Sequence, residues 1–525
     1  MKKLFFIAFI LLPQWVVAQV NAPLEWYSTM RAERAMFDSA SSIHLDIGQY
    51  FSWELAPFKK ETTADKNWLK WQKSESVFRV IPLVNALPTL GSAQSYSSGS
   101  GYSLNGGARI EGSIANKFYF EADGLSGFDR PTPYMQQIYD SLRVIPGFSM
   151  ANQSGKDYMY HQFGFALGYR ISEHFTAIVG RGKNRFGEGY RSLFLSDYAA
   201  NYNYVKLQAK VWRVRYQMLY TGMRQPYDLN TNQFPTKRKA AVMHYLSLNL
   251  AKWWSISAFE SIVWQQSNDS ISARFYDVNY FNPLIFLRPV EYSIGSPDNA
   301  LLGASSTMRL KDVTLYGSIL IDEFLFGEVI APIRKRLTGD STILTGNYRN
   351  KQAFQLGVKC HKPFNLKNVS ALAEVNVVRP YTYAHGTATQ SYTQMNQPLA
   401  HPLGANFIEW IAAVTWQPNR WNVGLKAFYY RKGFSTQTKN VGEDPTKRLP
   451  NVDFEVSQYG NFITQGMRSD VANVIADAQY ILIPEWNLRL TSSAQYRFSR
   501  NFSPFNSFMI SLGIQSSFSN IERAL

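Results

Sequence analysis

The chain has 525 residues, with 54 Lys and Arg against 38 Asp and Glu, a formal net charge of +16 and a single cysteine, Cys360. One cysteine excludes an intramolecular disulfide framework, so burial and hydrogen bonding must hold the fold. Aromatic residues make up 15% of the sequence, yet they are interleaved with polar ones, and no segment after the N-terminal run has the roughly 18 uninterrupted apolar residues of a spanning helix.

The chain opens MKKLFFIAFILLPQWVVAQ, with Lys2 and Lys3, an apolar run too short to span a bilayer, and Val16, Val17 and Ala18 ahead of Gln19. This pattern predicts a signal peptide over 1–18 and export. Residues 19–75 read differently from the rest. Trp26, Met30 and Phe37 recur at near-helical spacing behind Pro23, which predicts a short helix in a periplasmic N-terminal segment.

From about Val77 the period changes to two. Phe163, Phe165, Leu167 and Tyr169 alternate with Gln162, Gly164, Ala166 and Arg170. Val205, Leu207 and Val211 alternate with Lys206, Gln208 and Lys210, and Trp486, Leu488, Leu490, Tyr496 and Phe498 with Arg489, Gln495 and Arg497. Each run therefore has one apolar and one polar face, as a strand between two solvents requires. Tight turns fall near 114–116, 172–174, 211–213, 251–253, 310–312, 362–367, 417–420 and 483–486, separated by longer Gly-, Pro- and Asn-rich stretches.

Short turns alternating with long loops predict an all-β, transmembrane antiparallel β-barrel of about 18 strands in the bacterial outer membrane. It would occupy 76–518, followed by a periplasmic tail at 519–525. Trp212, Trp253, Trp254, Phe364, Trp421 and Trp486 cluster at the tight turns as an interfacial girdle. Outer-membrane lipid is then the first partner, and nucleic acid is excluded.

The polar faces place Arg109, Arg170, Lys206, Lys210, Arg213, Arg215, Lys359, Lys426, Arg489 and Arg497 in the lumen against fewer acids, among them Glu111, Glu121, Asp123 and Glu374. That predicts a basic lumen suited to anionic solutes or acidic glycans, unless the charges pair internally. No HExxH, GxSxG, Walker A or paired-cysteine pattern occurs. Neither an enzyme, a cofactor nor a metal site is expected.

Three segments are richer than solvated loops need to be. The first, Gly180 to Asp197 (GRGKNRFGEGYRSLFLSD), offers Arg181, Lys183, Arg185, Glu188, Tyr190, Arg191 and Asp197. The second, Asn279 to Gly303, carries Arg288, Glu291, Asp298 and Asn299 beside an apolar run, Leu284 to Leu287, and is expected to fold back into the barrel. The third, Arg379 to Glu409, mixes Arg379, Tyr381, Tyr383, His385, Asn396, His401 and Asn406. Flat rings and amides suit a sugar surface, and the same residues could instead plug and brace the lumen.

The combination of GRGKNRFGEGYRSLFLSD, FNPLIFLRPVEYSIGSPDNALLG and NQPLAHPLGANF resembles the RemB-like gliding-motility outer-membrane proteins and, more distantly, the Wzi-type capsule assembly barrels. The resemblance covers the chain from about residue 20 onward. It implies a barrel of about 18 strands with a helical periplasmic segment, serving surface polysaccharide or gliding. The resulting expectation is a non-enzymatic barrel that binds or anchors exported polysaccharide. The alternatives are a porin-like channel for anionic solutes, or an accessory of gliding or secretion with a periplasmic or outer-membrane protein partner.

Overall fold

The structure is a computed structural model that describes residues 26–38, 44, 69–73, 75–93, 96–142, 144–148, 152–226, 236–266, 280–282, 298–447, 456–502 and 504–516. The expected signal peptide, the C-terminal tail and two candidate residues, Arg288 and Glu291, lie outside the described residues.

Eighteen strands form the wall. The first nine are β1 (Ser76–Ala93), β2 (Tyr96–Ile114), β3 (Phe118–Arg130), β4 (Asp157–Arg170), β5 (Phe175–Gly182), β6 (Tyr202–Val211), β7 (Val214–Pro226), β8 (Thr236–Ala251) and β9 (Trp254–Gln265). The second nine are β10 (Asn299–Leu310), β11 (Val313–Glu323), β12 (Lys351–Cys360), β13 (Val369–Val378), β14 (Phe407–Trp416), β15 (Trp421–Phe434), β16 (Met467–Ile483), β17 (Leu488–Asn501) and β18 (Ser507–Ser516). Each pairs antiparallel with its neighbour, and β18 returns to β1 through registers such as Asn85↔Gln515 and Thr89↔Ser511. Closure leaves no barrel edge, which lets every wall strand satisfy its backbone in hydrocarbon. The tight turns fall where the alternation breaks, all at one end of the barrel.

Alternation maps onto the wall as a lipid-facing barrel requires. Phe163, Leu167, Tyr169, Phe175, Val179, Leu356, Leu425 and Leu512 are exposed on the outside, while Lys206, Gln208, Arg215 and Gln217 are buried on the inside. At the turns Trp212, Trp253, Phe364 and Trp421 remain exposed, forming the girdle expected of a membrane interface.

Helix α1 (Trp26–Asp38) does not stand apart from this wall. Trp26, Tyr27 and Met30 pack inside the lumen against Leu372, Ile411, Ala413 and Phe428. Tyr27 hydrogen-bonds Asp477, and Arg31 donates to Asn422 Oδ1 at 2.9 Å, which sets the helix at the short-turn end. Two further helices belong to the long connections, α2 (Pro133–Leu142) and α3 (Phe326–Thr338).

The segment after β9 departs from expectation. Tyr280, fully buried, meets Trp264 with ring centroids 5.1 Å apart, and Phe281 lies 5.8 Å from Tyr220. Trp264 and Tyr220 share the outer face of the wall with Met218, Val242 and Ile262. Tyr280 and Phe281, from the described part of this connection, therefore lie on the outside of the barrel and not in the lumen. They find their partners on the apolar outer face, which sequence alone does not distinguish from the interior.

Candidate functional site

The two remaining rich segments meet inside the barrel. Between β5 and β6, the chain of 183–201 turns inward and buries Phe186, Leu193, Phe194 and Leu195 in one cluster with Tyr245, Phe259, Leu301, Tyr383, Tyr392 and Leu399. Phe186 stacks on Tyr245 and Phe194 on Phe259, each pair with centroids 5.0 Å apart. Gly303 makes room for this. A Cβ there would stand 2.4 Å from the Phe194 ring, so only glycine lets the plug lie flat against the wall.

The segment from 381 to 404 closes over the same cluster. The Tyr383 hydroxyl donates to Leu193 O at 2.9 Å and its amide to Asp322 Oδ2 at 2.7 Å. A two-rung hairpin, Thr393–Gln394 with Gln397–Pro398, is pinned to the wall where Met395 N donates to Arg224 O and Arg224 N to Gln394 Oε1. Lys239 Nζ donates to Ser391 O and to Thr393 Oγ1. Gln397 then ties in the loop after α2, accepting from Gly147 N and donating to Phe148 O.

Charge at the bottom of the plug is matched group for group. Lys359 Nζ lies 2.6 Å from Glu188 Oε1 and 3.0 Å from Glu33 Oε1, joining plug, wall and α1. Glu374 accepts the amides of Tyr190 and Arg191, at 2.7 and 3.2 Å, together with the Tyr316 hydroxyl at 2.6 Å. Arg191 pairs with Glu409 at 3.4 Å. Glu409 also takes His401 Nε2 at 2.7 Å, while His401 Nδ1 accepts Leu403 N. Its Nε2 therefore carries the proton. Desolvation holds the His401 imidazole below its ordinary titration range.

Most candidate residues are thus committed internally. Arg185 donates to the carbonyls of Gly189 and Tyr190 and faces Asp197 at 3.5 Å. Tyr190 lies edge-on to Trp26. The Tyr381 hydroxyl donates to Asn440 O, Asn396 Nδ2 to Leu142 O, and Asn406 Nδ2 to Gly433 O and Gln465 O. Arg379 Nε donates to Asn350 O, and His385 N to Ser391 Oγ. Asp298 accepts the Tyr280 hydroxyl, while Asn299 is buried at the start of β10. Arg181 lies on the wall, donating to Asn203 Oδ1 at 3.2 Å.

Lys183 differs from these. Its Nζ is buried without a hydrogen-bond partner among the described residues, as are both side-chain polar atoms of Asn184. Burial lowers the Lys183 ammonium to about 8, with Asp197 opposing the shift.

The lumen cations pair in the same way. Arg109 lies 2.9 Å from Glu121, Lys426 faces Asp477 at 3.5 Å, and Arg489 donates to Gln479. Wall and plug acids thus pair Arg109, Lys359 and Lys426, while Arg489 and Arg215 bond neutral glutamines, so the expected basic field is only partly offset. Arg213 is the exception in position, since it sits exposed at the β6–β7 turn over Trp212. Among the described residues no group of three His, Cys, Asp or Glu is arranged to hold a metal ion.

Sequence reasoning missed a second face, at the rim of the long loops. Tyr348 N donates to Gln458 O, Gly460 N to Thr345 O, and Asn461 Nδ2 to Gly346 O, stitching two loops together. They present the Arg349 guanidinium over Tyr348 at 5.7 Å, with Phe462 exposed next in sequence to Asn461. The available signal was the spacing of NYRN and QYGNF, ring and amide motifs like those read in the third segment.

No family model and no curated protein matches the chain. Among solved structures it is similar to Wzi, from Escherichia coli, described as an outer membrane protein involved in group 1 capsule assembly and a carbohydrate binding β-barrel. The identity is 12%, the TM-score 0.45, and 82% of this chain and 84% of that one are covered. It is also similar to OprD of Pseudomonas aeruginosa, with 12% identity, TM-score 0.41 and coverage of 87% and 98%. For OccAB2 of Acinetobacter baumannii the values are 9%, 0.43, 82% and 96%. Likeness this slight carries no argument about substrate. The closed wall, the apolar exterior and the turn girdle themselves make this chain an 18-stranded barrel of the outer-membrane kind.

Proposed function

We propose that the chain is a non-enzymatic, plugged outer-membrane barrel that holds an exported polysaccharide at the cell surface. The observation that carries this reading is the plug. Phe186, Leu195, Tyr383, Tyr392 and Leu399 are all fully buried across the lumen, so the interior is a packed core, braced by ion pairs such as Lys359–Glu188 and Arg191–Glu409. A solute pathway needs wetted walls, whereas a surface anchor needs a rigid platform.

On this reading the glycan lies on the rim and not in the lumen. Tyr348, Arg349 and Phe462 supply flat surfaces for sugar rings, Arg349 adds a cation for acidic residues, and the amides of the stitched loops hold them in place. The buried candidates of the first and third segments then act as bracing.

Binding of polysaccharide extracted from the source cells to the purified protein tests this. Arg349→Ala with Phe462→Ala should lower retention at least tenfold while heat-modifiable gel migration of the barrel stays normal. If the protein binds no surface glycan and a deletion strain keeps its full surface coat, the reading fails. Steady anion conductance in planar bilayers would favour the channel instead.

A further inference from the structure

Helix α3 has no place in either the wall or the plug. Its sequence, FGEVIAPIRKRLT, spaces Phe326, Ile330, Ile333 and Leu337 at i, i+4, i+7 and i+11, a stripe about 60° wide at 100° per residue. All four are exposed, Ile333 at 59% and Leu337 at 81%. Arg334 and Arg336 flank the stripe, one on each side, and Lys335 lies opposite it. Gly339, with φ 68°, ends the helix by donating to Lys335 O.

Two observations fix the direction this stripe faces. The polar side is tied to the barrel, because Glu328 Oε2 accepts Asn347 N at 3.0 Å. The apolar side continues the lipid-facing wall. A register shift between Ile321 and Glu323 turns Glu323 inward onto Lys351 at 3.0 Å, which leaves Phe324 outside, 6.4 Å from the Phe326 ring. Phe354 and Leu356 of the adjoining strand are exposed on that same outer face.

We propose that α3 is an interfacial helix. Its stripe enters the acyl boundary of the leaflet at the long-loop end, and Arg334 and Arg336 contact the phosphates of anionic lipid headgroups. An apolar stripe between two arginines, continuous with a lipid-facing wall, fits an anionic bilayer surface better than water.

The test uses the full chain with Cys360→Ser. Ile333→Cys and, separately, Lys335→Cys are labelled with an environment-sensitive fluorophore and reconstituted in phosphatidylcholine vesicles with or without phosphatidylglycerol. The label at 333 should shift to the blue and be quenched by aqueous iodide at least threefold less than the label at 335. Phosphatidylglycerol should deepen that protection, and Arg334→Ala with Arg336→Ala should abolish the deepening. Equal quenching at both positions overturns the proposal, because the helix would stand in water. Failure of doxyl-labelled phosphatidylcholine to quench the label at 333 also overturns it, since protein and not acyl chain would then cover the stripe.

Discussion

Lys359 Nζ lies 2.6 Å from Glu188 Oε1 and 3.0 Å from Glu33 Oε1, so one buried ammonium joins the inward loop and the N-terminal helix to the wall. Breaking such a group is costly because its partners stay buried and charged, roughly 3–5 kcal/mol for a pair. Lys359→Met should therefore loosen the plug without opening the wall. In planar bilayers the variant should show intermittent current where the parent is silent, and adding Glu33→Gln and Glu188→Gln should restore most of the closure. A variant as silent as the parent would mean that the apolar cluster above seals the lumen alone.

Gly189 supplies a steric test of the same seam. A Cβ at that position would stand 2.5 Å from Gln355 Nε2 and 2.6 Å from both Arg191 O and Glu374 Oε2. Gly189→Ala must push the loop off the wall, at a cost of about 1–3 kcal/mol. Hydrogen exchange should rise across 183–201 and stay unchanged in the strands. Unchanged exchange in the loop would show that the seam can yield.

These contacts mark the limit of what the sequence discloses. The wall was legible because each strand faces two solvents, which writes the alternation Phe163, Phe165, Leu167 against Gln162, Gly164, Ala166 directly into the chain. The turn girdle, from Trp212 to Trp421, was legible for the same reason. Glu188 read as a ligand-binding acid because its partner Lys359 is 171 residues away, and only closure of the barrel brings them together. The Asn279–Gly303 segment was expected to fold into the barrel, yet its Tyr280 packs on the outer face, because an apolar loop suits the outside of this wall as well as the inside. The resemblance anticipated the strand number, and nothing in the comparisons bears on gliding.

Lys183 gives the plug a pH dependence. The ammonium titrates near 10.5 in the unfolded chain and at about 8 when buried. Between those values the free loop holds a proton that the docked loop lacks, so raising the pH through this window favours docking, by roughly 3 kcal/mol in total. Below pH 8 the ammonium is charged in both states and its burial opposes docking in full. Exchange protection of 183–201 should therefore be greater at pH 10 than at pH 7. Lys183→Met should be protected at both, and a parent-like pH response in that variant would assign the effect to another group.

Trp26 decides whether α1 or the loops close the barrel. It is buried against Tyr190, with centroids 4.8 Å apart, in a cluster that also holds Met30 and Phe428. Removing an indole from such a site costs about 3–5 kcal/mol, more than a short helix can recover from propensity. In Trp26→Ala the helix should leave the short-turn end, exposing Arg31, whose guanidinium otherwise bonds Asn422. Trypsin should then cleave at Arg31 in the variant and spare the parent. Conductance should stay near zero, because the stacked pairs Phe186–Tyr245 and Phe194–Phe259 lie in a separate cluster that does not include α1. A large current in this variant would move the seal from the loops to the helix, and the rim would then no longer rest on an independently closed barrel.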